Sequence, residues 1–519
     1  MAACISTVLL LVGCAAVGPN FKEPVTPIAE GWLESDPRLL RTNSENYGEW
    51  WKSFSDPAFE ALIQRAYRDN LSLEIAGLRV YEGRAQLGFA VGTLYPQVAS
   101  ARLSADTIEL SENAEPLSYL PPTVRQGVDT NYSNYRLGFN TAWELDFWGK
   151  YRRIVEAADS SLAARIAAYD AVLVTITSDV ASAYLRLRTL EKRLEVAHRN
   201  AAIQQRSLEI SKVRTRNGLT TELDVVQASV QLKNTQALIP RLEAALRGIE
   251  NALSLLLGAL PGEVRSIIGG AADIPNTPTA VAVGLPADLL RRRPDIRQAE
   301  YAAATQSALI GVTKAELYPS FSLAGSLGYS ADNFSDLTNT GSSASIASLG
   351  FNWNIFSFGR IKSRIRAHDA RLQQTLTAYR AVVLNAAREV ENAQTSFLKA
   401  QEEVEYLRVS ATAAARAVEL ALVQYRDGTA DFTRVLTAQR SLSAQEGLLT
   451  DARGRVAQNL VSIYRALGGG WQIREGLDFI PAVIKDQMRE RSDWGDLLDT
   501  PKAPEPVPED ERGKWRAPD

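Results

Sequence analysis

Four short segments of the chain alternate apolar and polar residues with a period of two. Such alternation predicts β-strands that present one apolar face and one polar face. Polar segments, roughly residues 107–131 and 330–344, join the strands of each pair, so the pattern predicts two hairpins. The apolar positions are Ala99, Ala101, Leu103 and Ala105 in the first segment, Tyr135, Leu137, Phe139, Trp143, Leu145 and Phe147 in the second, Phe321, Leu323, Leu327 and Tyr329 in the third, and Leu349, Phe351, Trp353 and Ile355 in the fourth.

Each predicted hairpin is followed by a long stretch that contains neither glycine nor proline. One stretch lies between Gly149 and Gly218, the other between Gly359 and Gly428. Apolar residues recur there at alternating spacings of four and three, which is the coiled-coil period. A helix of this length extends roughly 100 Å, more than a globular domain needs, so it must span something. The predicted helices lie near residues 57–92, 152–214, 221–257, 287–316, 360–426 and 431–466.

The two halves of the chain repeat one plan. Three glycine-containing dipeptides, Trp148-Gly149, Asn217-Gly218 and Leu257-Gly258, recur with unchanged spacing as Phe358-Gly359, Asp427-Gly428 and Leu467-Gly468. Repeats that bury their apolar stripes against each other predict one duplicated structure in place of several domains. The predicted segments are a signal peptide at 1–13, an N-terminal segment at 14–56, the repeats at 57–258 and 287–470, a linker at 259–286, and a C-terminal segment at 471–519 that ends in an acidic, proline-rich tail.

Aromatic residues cluster at one end of the predicted strands. Each hairpin is entered through Tyr-Pro and left through an aromatic residue followed by glycine, and Trp143, Trp148, Trp353 and Phe358 lie at that end. Girdles of aromatic residues mark a bilayer interface. The apolar–polar alternation of the strands, taken alone, would also fit a soluble β-sandwich. In hydrocarbon four strands cannot close a barrel, and open edges are forbidden. The chain is therefore expected to oligomerise, with two or three copies as the smallest closed solutions.

The amino terminus has the pattern of a bacterial lipoprotein signal. A short apolar run from Val8 to Val12 leads into Leu11-Val12-Gly13-Cys14, which fits the lipobox that is cut before a diacylated cysteine. No Lys or Arg precedes the run, which departs from the usual signal. The alternative is a buried strand with a structural cysteine. If cleavage occurs, no thiol pair remains, so disulfides and cysteine-based metal sites are not expected.

Composition narrows the class of function. The 519 residues are 45% hydrophobic and 23% charged, as in folded proteins. The net charge of −3, without a basic stripe carrying aromatics, argues against nucleic-acid binding. The chain contains no run of about 18 consecutive apolar residues, so a membrane-spanning helix is not predicted. The chain has no Gly-x-Ser-x-Gly, P-loop or His-Glu-x-x-His pattern, and its two histidines, His198 and His368, lie in the long helices, so neither an enzyme nor a cofactor is expected.

Four segments have the sequence of family motifs: Cys14 followed by Val17-Gly18-Pro19-Asn20-Phe21, residues 50–57 (WWKSFSDP), residues 284–296 (GLPADLLRRRPDI) and Tyr425-Arg426-Asp427-Gly428. Through these motifs the chain resembles the TolC-like outer-membrane efflux channels, in the lipoprotein branch that serves RND-type drug pumps. The resemblance covers nearly the whole mature sequence.

The resemblance implies a mainly α-helical protomer with a transmembrane β part. Three protomers would form a twelve-strand β-barrel in the outer membrane that continues as a twelve-helix α-barrel across the periplasm. The duct would export drugs or other small toxic compounds that an inner-membrane pump delivers with a periplasmic adaptor. The resemblance implies no cofactor, metal or nucleic-acid partner, and lipid contact is expected at the barrel and at Cys14.

The resemblance also implies a gate at the helix tips, where the turns at Asn217, Gly218, Asp427 and Gly428 would contact the adaptor. Asp224 and Tyr425 match positions that hold family channels closed, although Thr221-Glu222-Leu223-Asp224 is also a helix capping box. The family commonly places an acidic ring where this chain has Thr437, so such a ring is not expected here. The further candidates for tip contacts are Asp431, Arg434 and Arg440.

Two other interpretations remain open. The same fold could serve metal-ion efflux or type I protein secretion, although only 2 methionines give no hint of a soft-metal relay. A lipid-tethered periplasmic coiled-coil scaffold would share the heptads and Cys14 but has no use for lipid-facing hairpins. Pore formation in planar bilayers would exclude the scaffold.

Overall fold

The computed structural model describes residues 16–25, 29, 31–33, 40–41, 47–111, 115, 117–278, 280–282, 286 and 292–499. The predicted signal peptide, Cys14 and the proline-rich tail at 501–519 lie outside the described residues. The helices are α1 Pro57–Asp69, α2 Leu71–Gly92, α3 Pro122–Arg125, α4 Lys150–Arg216, α5 Glu222–Leu256, α6 Val264–Ile268, α7 Pro294–Ala315, α8 Arg360–Arg426, α9 Phe432–Ala466 and α10 Ala482–Arg491. The strands are β1 Leu40–Arg41, β2 Val98–Glu109, β3 Asn131–Leu145, β4 Val281–Ala282, β5 Ser320–Ala331 and β6 Ser343–Asn352.

The two predicted hairpins form one antiparallel sheet in the order β2-β3-β5-β6. The register pairs odd-numbered residues with odd-numbered residues, as in Leu103 with Leu137 and Leu137 with Tyr329. The alternating apolar positions therefore share one face, where Phe139 is 69% and Leu349 is 73% exposed. The last strand ends at Asn352, so Trp353 and Ile355, which the alternation placed in this strand, lie beyond its end.

The two longest helices, α4 and α8, have 67 residues each and match the predicted bounds within two residues. Each begins after a glycine in the left-handed region, Gly149 at φ 74° and Gly359 at φ 82°, a conformation that side chains with a Cβ rarely adopt. Each ends in the same way, at Gly218 and Gly428. The amide of Leu219 donates to the carbonyl of Arg214 at 2.9 Å, which closes the helix in a Schellman-type turn.

The single helix predicted over residues 57–92 is divided at Asn70 into α1 and α2. Asn70 has an extended backbone, and its side chain accepts a hydrogen bond from the Leu73 amide at 3.0 Å. The same side chain donates to the carbonyl of Leu256, at the end of α5, at 2.8 Å. One residue therefore caps the start of α2 and satisfies a terminal carbonyl of α5.

The motif at residues 50–57 builds the core where the shorter elements cross α4. Trp50 stacks on Tyr464 of α9 with ring centroids 5.2 Å apart, and Phe59 contacts Tyr184 of α4 at 5.3 Å. Asp56 caps α1 by accepting from the Ala58 amide at 2.9 Å and accepts from the Tyr184 hydroxyl at 2.6 Å. The motif at residues 50–57 therefore stabilises the core of the described part of the chain.

Helix α4 contains a window that is long and apolar enough to cross a membrane, which the search for uninterrupted apolar runs did not predict. Inside the protein, 67% of that window is buried. A lipid-facing helix exposes its apolar side chains, so α4 is a core helix of this fold.

A buried ion pair joins α4 to the segment after α9. Asp170 is fully buried and accepts from Arg474 Nη2 at 2.9 Å, while the guanidinium lies 5.1 Å from the Phe479 ring centroid. Replacing Asp170 by Ala would leave a buried guanidinium without its anion, so we expect the free energy of unfolding to fall by about 3–5 kcal/mol. Urea unfolding in detergent measures this. The double variant Asp170→Leu/Arg474→Met should recover most of the loss, and a double variant as unstable as Asp170→Ala would contradict the explanation.

Candidate gate at the helix tips

The two helical hairpins of the protomer meet at their tips, beside the turns at Asn217-Gly218 and Asp427-Gly428. Arg214, in the last turn of α4, donates through Nη1 to the carbonyl of Arg426 at 2.8 Å. Its guanidinium also lies 4.8 Å from the centroid of the Tyr425 ring. Arg214 thus links the end of α4 to the end of α8. Sequence reasoning missed this residue, and its only signal is a basic residue in the last turn of a helix.

Asp224 and Tyr425 are in direct contact, although 201 residues separate them in the chain. The Tyr425 hydroxyl donates to Asp224 Oδ2 at 2.9 Å, and the Thr220 hydroxyl donates to the same oxygen. Asp224 lies in the first turn of α5 and Tyr425 in the last turn of α8. This hydrogen bond therefore ties the first hairpin to the second.

The predicted capping box is not formed. Thr221 occupies the N-cap position of α5, but its side chain makes no capping hydrogen bond. The Asp224 amide instead donates to the backbone carbonyl of Thr221 at 3.3 Å. The carboxylate of Asp224 is thus free of a capping role and is committed to Thr220 and Tyr425.

The phenol of Tyr425 is held as a neutral donor. Its side chain is only 2% exposed and packs edge-on against Phe432 with ring centroids 5.3 Å apart. Burial, and secondly the hydrogen bond to Asp224, raise the pKa of Tyr425 to about 12. The surrounding apolar cluster also contains Leu208, Ala228, Leu232, Ala421, Val435 and Leu436.

The remaining candidates on α9 differ in their contacts. Asp431 accepts from the Arg434 amide at 3.2 Å and so caps α9. Arg440 donates through Nε to Gln231 Oε1 of α5 at 3.1 Å, which is a further link between the hairpins. The Arg434 and Thr437 side chains are exposed, as are the four turn residues Asn217, Gly218, Asp427 and Gly428.

A buried polar layer lies between the apolar cluster around Tyr425 and the remaining length of the packed helices. Gln439 of α9 donates to the Ser207 hydroxyl of α4 at 2.5 Å. The side-chain amide of Gln204 is buried, and neither its oxygen nor its nitrogen has a partner among the described residues. Polar layers of this kind hold two helices less firmly than an apolar seam when they are incompletely paired.

The predicted interface aromatics lie where helices meet strands. Trp143 donates through its indole to the carbonyl of Leu94 at 3.1 Å, and Trp353 donates to the carbonyl of Leu317 at 3.1 Å. Trp148 donates to the carbonyl of Pro319 at 2.7 Å and is partly buried, whereas Phe358 is 97% exposed. The three indole hydrogen bonds thus join the segments that follow α2 and α7 to residues at the ends of the strands.

Comparison with known proteins identifies the class. The profile of the family described as "Outer membrane efflux protein" matches residues 62–259 and 285–469, well over half of the chain. The chain belongs to this family. The earlier resemblance to TolC-like channels is thereby confirmed, and the protein is an outer-membrane efflux channel whose long helices extend into the periplasm.

Individual relatives match almost end to end. The cation efflux system protein CusC of Escherichia coli O6:H1 is 28% identical, with 89% of this chain and 97% of that protein covered. The solvent efflux pump outer membrane protein SrpC of Pseudomonas putida is 29% identical, with 90% and 97% covered. The solved outer-membrane channel OprN superposes with a TM-score of 0.80 at 31% identity, covering 88% of this chain and 99% of that one.

The position of Tyr425 gives a titration that can be measured. A phenol ordinarily ionises near pH 10. Because the folded-state pKa is raised, the stabilisation from Tyr425 is complete below about pH 10 and is lost as the pH rises through about 12. We expect the ultraviolet difference titration between the wild type and Tyr425→Phe to show one phenolate appearing near pH 12. A difference signal near pH 10 would contradict the buried hydrogen bond.

Proposed function

We propose that the chain forms a homotrimeric exit duct for small toxic organic compounds, which an inner-membrane RND-type pump and a periplasmic adaptor deliver to its helix tips. The single observation that carries this proposal is the sheet with two open edges and an exposed apolar face. The relatives include channels named for a cation system and for a solvent pump. What they share is the duct, and an outer duct accepts largely what its pump supplies.

The number of copies follows from the sheet. Each protomer contributes four strands, and β2 and β6 each have only one neighbour among the described residues. Open edges are not tolerated in hydrocarbon, so copies must pair edge to edge. Two copies would give eight strands, a size whose interior is just filled by side chains. Three copies are therefore the smallest assembly that leaves a wide duct.

The gate proposal rests on the contacts between hairpins at the tip. Opening a ring of paired helices requires one hairpin to move against its neighbour. The Tyr425–Asp224 hydrogen bond and the Arg214–Arg426 contact oppose that movement within each protomer. The exposed turns at Asn217-Gly218 and Asp427-Gly428 are the surface that the adaptor would contact, because they are the most distant part of the protomer from the sheet.

A lipid anchor at Cys14 agrees with the position of the following segment. The Val17 amide donates to the carbonyl of Trp148 at 3.0 Å, and Arg153 donates to Asn20 Oδ1 at 2.7 Å. This segment therefore lies beside the junction of sheet and helices. In the proposed barrel this junction lies at the membrane interface, so the position of residues 17–20 supports a lipid anchor that precedes them.

The copy number is tested by mass. We expect the detergent-solubilised protein to have the mass of three chains after subtraction of bound detergent, and to form ion-conducting pores in planar bilayers. Light scattering with a refractive-index detector gives the mass. A monodisperse single chain without pores would contradict the duct and would favour the periplasmic scaffold.

The gate is tested by conductance. Tyr425→Phe and Asp224→Ala each remove a hydrogen bond to a charged group, worth roughly 1.5–3 kcal/mol, so the closed-to-open ratio should fall by about tenfold or more while trimers persist. Single-channel recordings in planar bilayers measure this ratio. Asp431→Ala is the matched control, because it removes a tip carboxylate that only caps α9. Unchanged gating in both hairpin-linking variants, or an equal effect in the control, would eliminate the assigned gate.

A further inference from the structure

The four long strands carry few charges, and these have an uneven distribution. Within the strands the charged residues are Arg102, Asp106, Glu109, Arg136 and Glu144. Glu109 pairs with Asn131 in the outermost row of the sheet. The other four occupy even-numbered positions, on the polar face opposite the exposed apolar residues. In the closed barrel of the proposed trimer this polar face lines the lumen.

Both carboxylates of the polar face have cationic neighbours. Asp106 lies 4.0 Å from Arg136. Glu144 accepts from the Lys150 ammonium at 3.0 Å and from the Tyr151 hydroxyl at 3.0 Å. Each carboxylate of this face therefore already has a cation of its own chain beside it.

Arg102 has no such partner. It is exposed, and no hydrogen bond or ion pair joins it to the described residues. Its row across the sheet consists of Gly138, Gly328 and Ala344. Asp106 is four residues further along the same strand, about 13 Å away. This row therefore contributes no polar side chain beside Arg102.

The neighbouring protomer supplies no anion from its pairing strand either. In the proposed trimer β2 pairs with β6 of the next copy. Residues Ser343–Asn352 of β6 contain no charged side chain, so the conclusion holds for every register of that pairing. Strand β5 likewise contains none.

We propose that Arg102 is a selectivity residue of the duct: three copies form a ring of guanidinium groups in the barrel lumen that favours small organic anions over cations. The inference rests on the proposed trimer. A twelve-strand barrel is intermediate between filled eight-strand barrels and the open channels of 16–18 strands, so a long side chain on the polar face extends into the lumen and narrows it. Rings of Arg or Lys favour anions in pores.

The test is the ratio of chloride to potassium permeability, from reversal potentials of planar bilayers in a KCl gradient at low ionic strength, where screening is weak. Arg102→Gln should lower the ratio about twofold or more, and Arg102→Lys should keep it near the wild-type value. Ala344→Glu places a carboxylate in the same row and should also lower the ratio, with Ala344→Gln as its control. This second pair retains the test if Arg102→Gln fails to insert.

The outcomes separate the two proposals. Loop carboxylates such as Asp332 and Asp336 lie just beyond the strand ends, so the change between variants is the decisive quantity. Pores whose permeability ratio is the same in the wild type, Arg102→Gln and Ala344→Glu would overturn the selectivity role and leave the duct intact. Wild-type protein that forms no pores would overturn the duct, and the selectivity role with it. A lowered ratio in Arg102→Lys would show that side-chain shape acts, not charge, and would also overturn the role.

Discussion

The structure depends on the unpaired edges of a four-stranded sheet. Strands β2 and β6 each lack a second neighbour among the described residues, and the face between them exposes large apolar side chains. Water could satisfy such edges, but hydrocarbon cannot. The sheet can therefore lie in the membrane only if several copies assemble and pair their edges. The two long helices of 67 residues each provide roughly 100 Å, so they can extend from such a barrel in the outer membrane into the periplasm.

The internal duplication accounts for the strands and long helices of the protomer, and the positions where the two halves differ supply the contacts of the proposed gate. Equivalent positions in the two halves differ by 210 residues, and the glycines that start and stop the long helices obey this rule. At the tip the repeat diverges: Tyr425 corresponds to Thr215, and Asp224 corresponds to Arg434. Each protomer therefore has one tyrosine–aspartate link and not two. A symmetric pair of hairpins would have no preferred side on which to separate.

Local patterns suffice to predict most of the fold. Period-two alternation and glycine-free heptads are properties of neighbouring residues, so the long helices and the strands lie where the sequence predicts them, except that Phe147, Trp353 and Ile355 lie beyond the strand ends. The division at Asn70 was not predicted, because it depends on a carbonyl at Leu256 that only the folded chain brings near. Arg214 was missed for the same reason, since its partner is a backbone carbonyl 212 residues away. Asp224 and Tyr425 were selected by resemblance, and the local sequence pattern alone would have assigned Asp224 to a helix cap that the structure does not form.

The central claim is that the edge of one copy pairs with the opposite edge of the next. It is tested most directly by disulfide scanning in native outer membranes, with one cysteine fixed at Ala101 of β2 and a second moved along residues 343–352 of β6. The account predicts that, at one register, oxidation yields covalent dimers and trimers that reduction reverses, with nothing larger. Cross-links confined to single chains, or absent at every position, would contradict it.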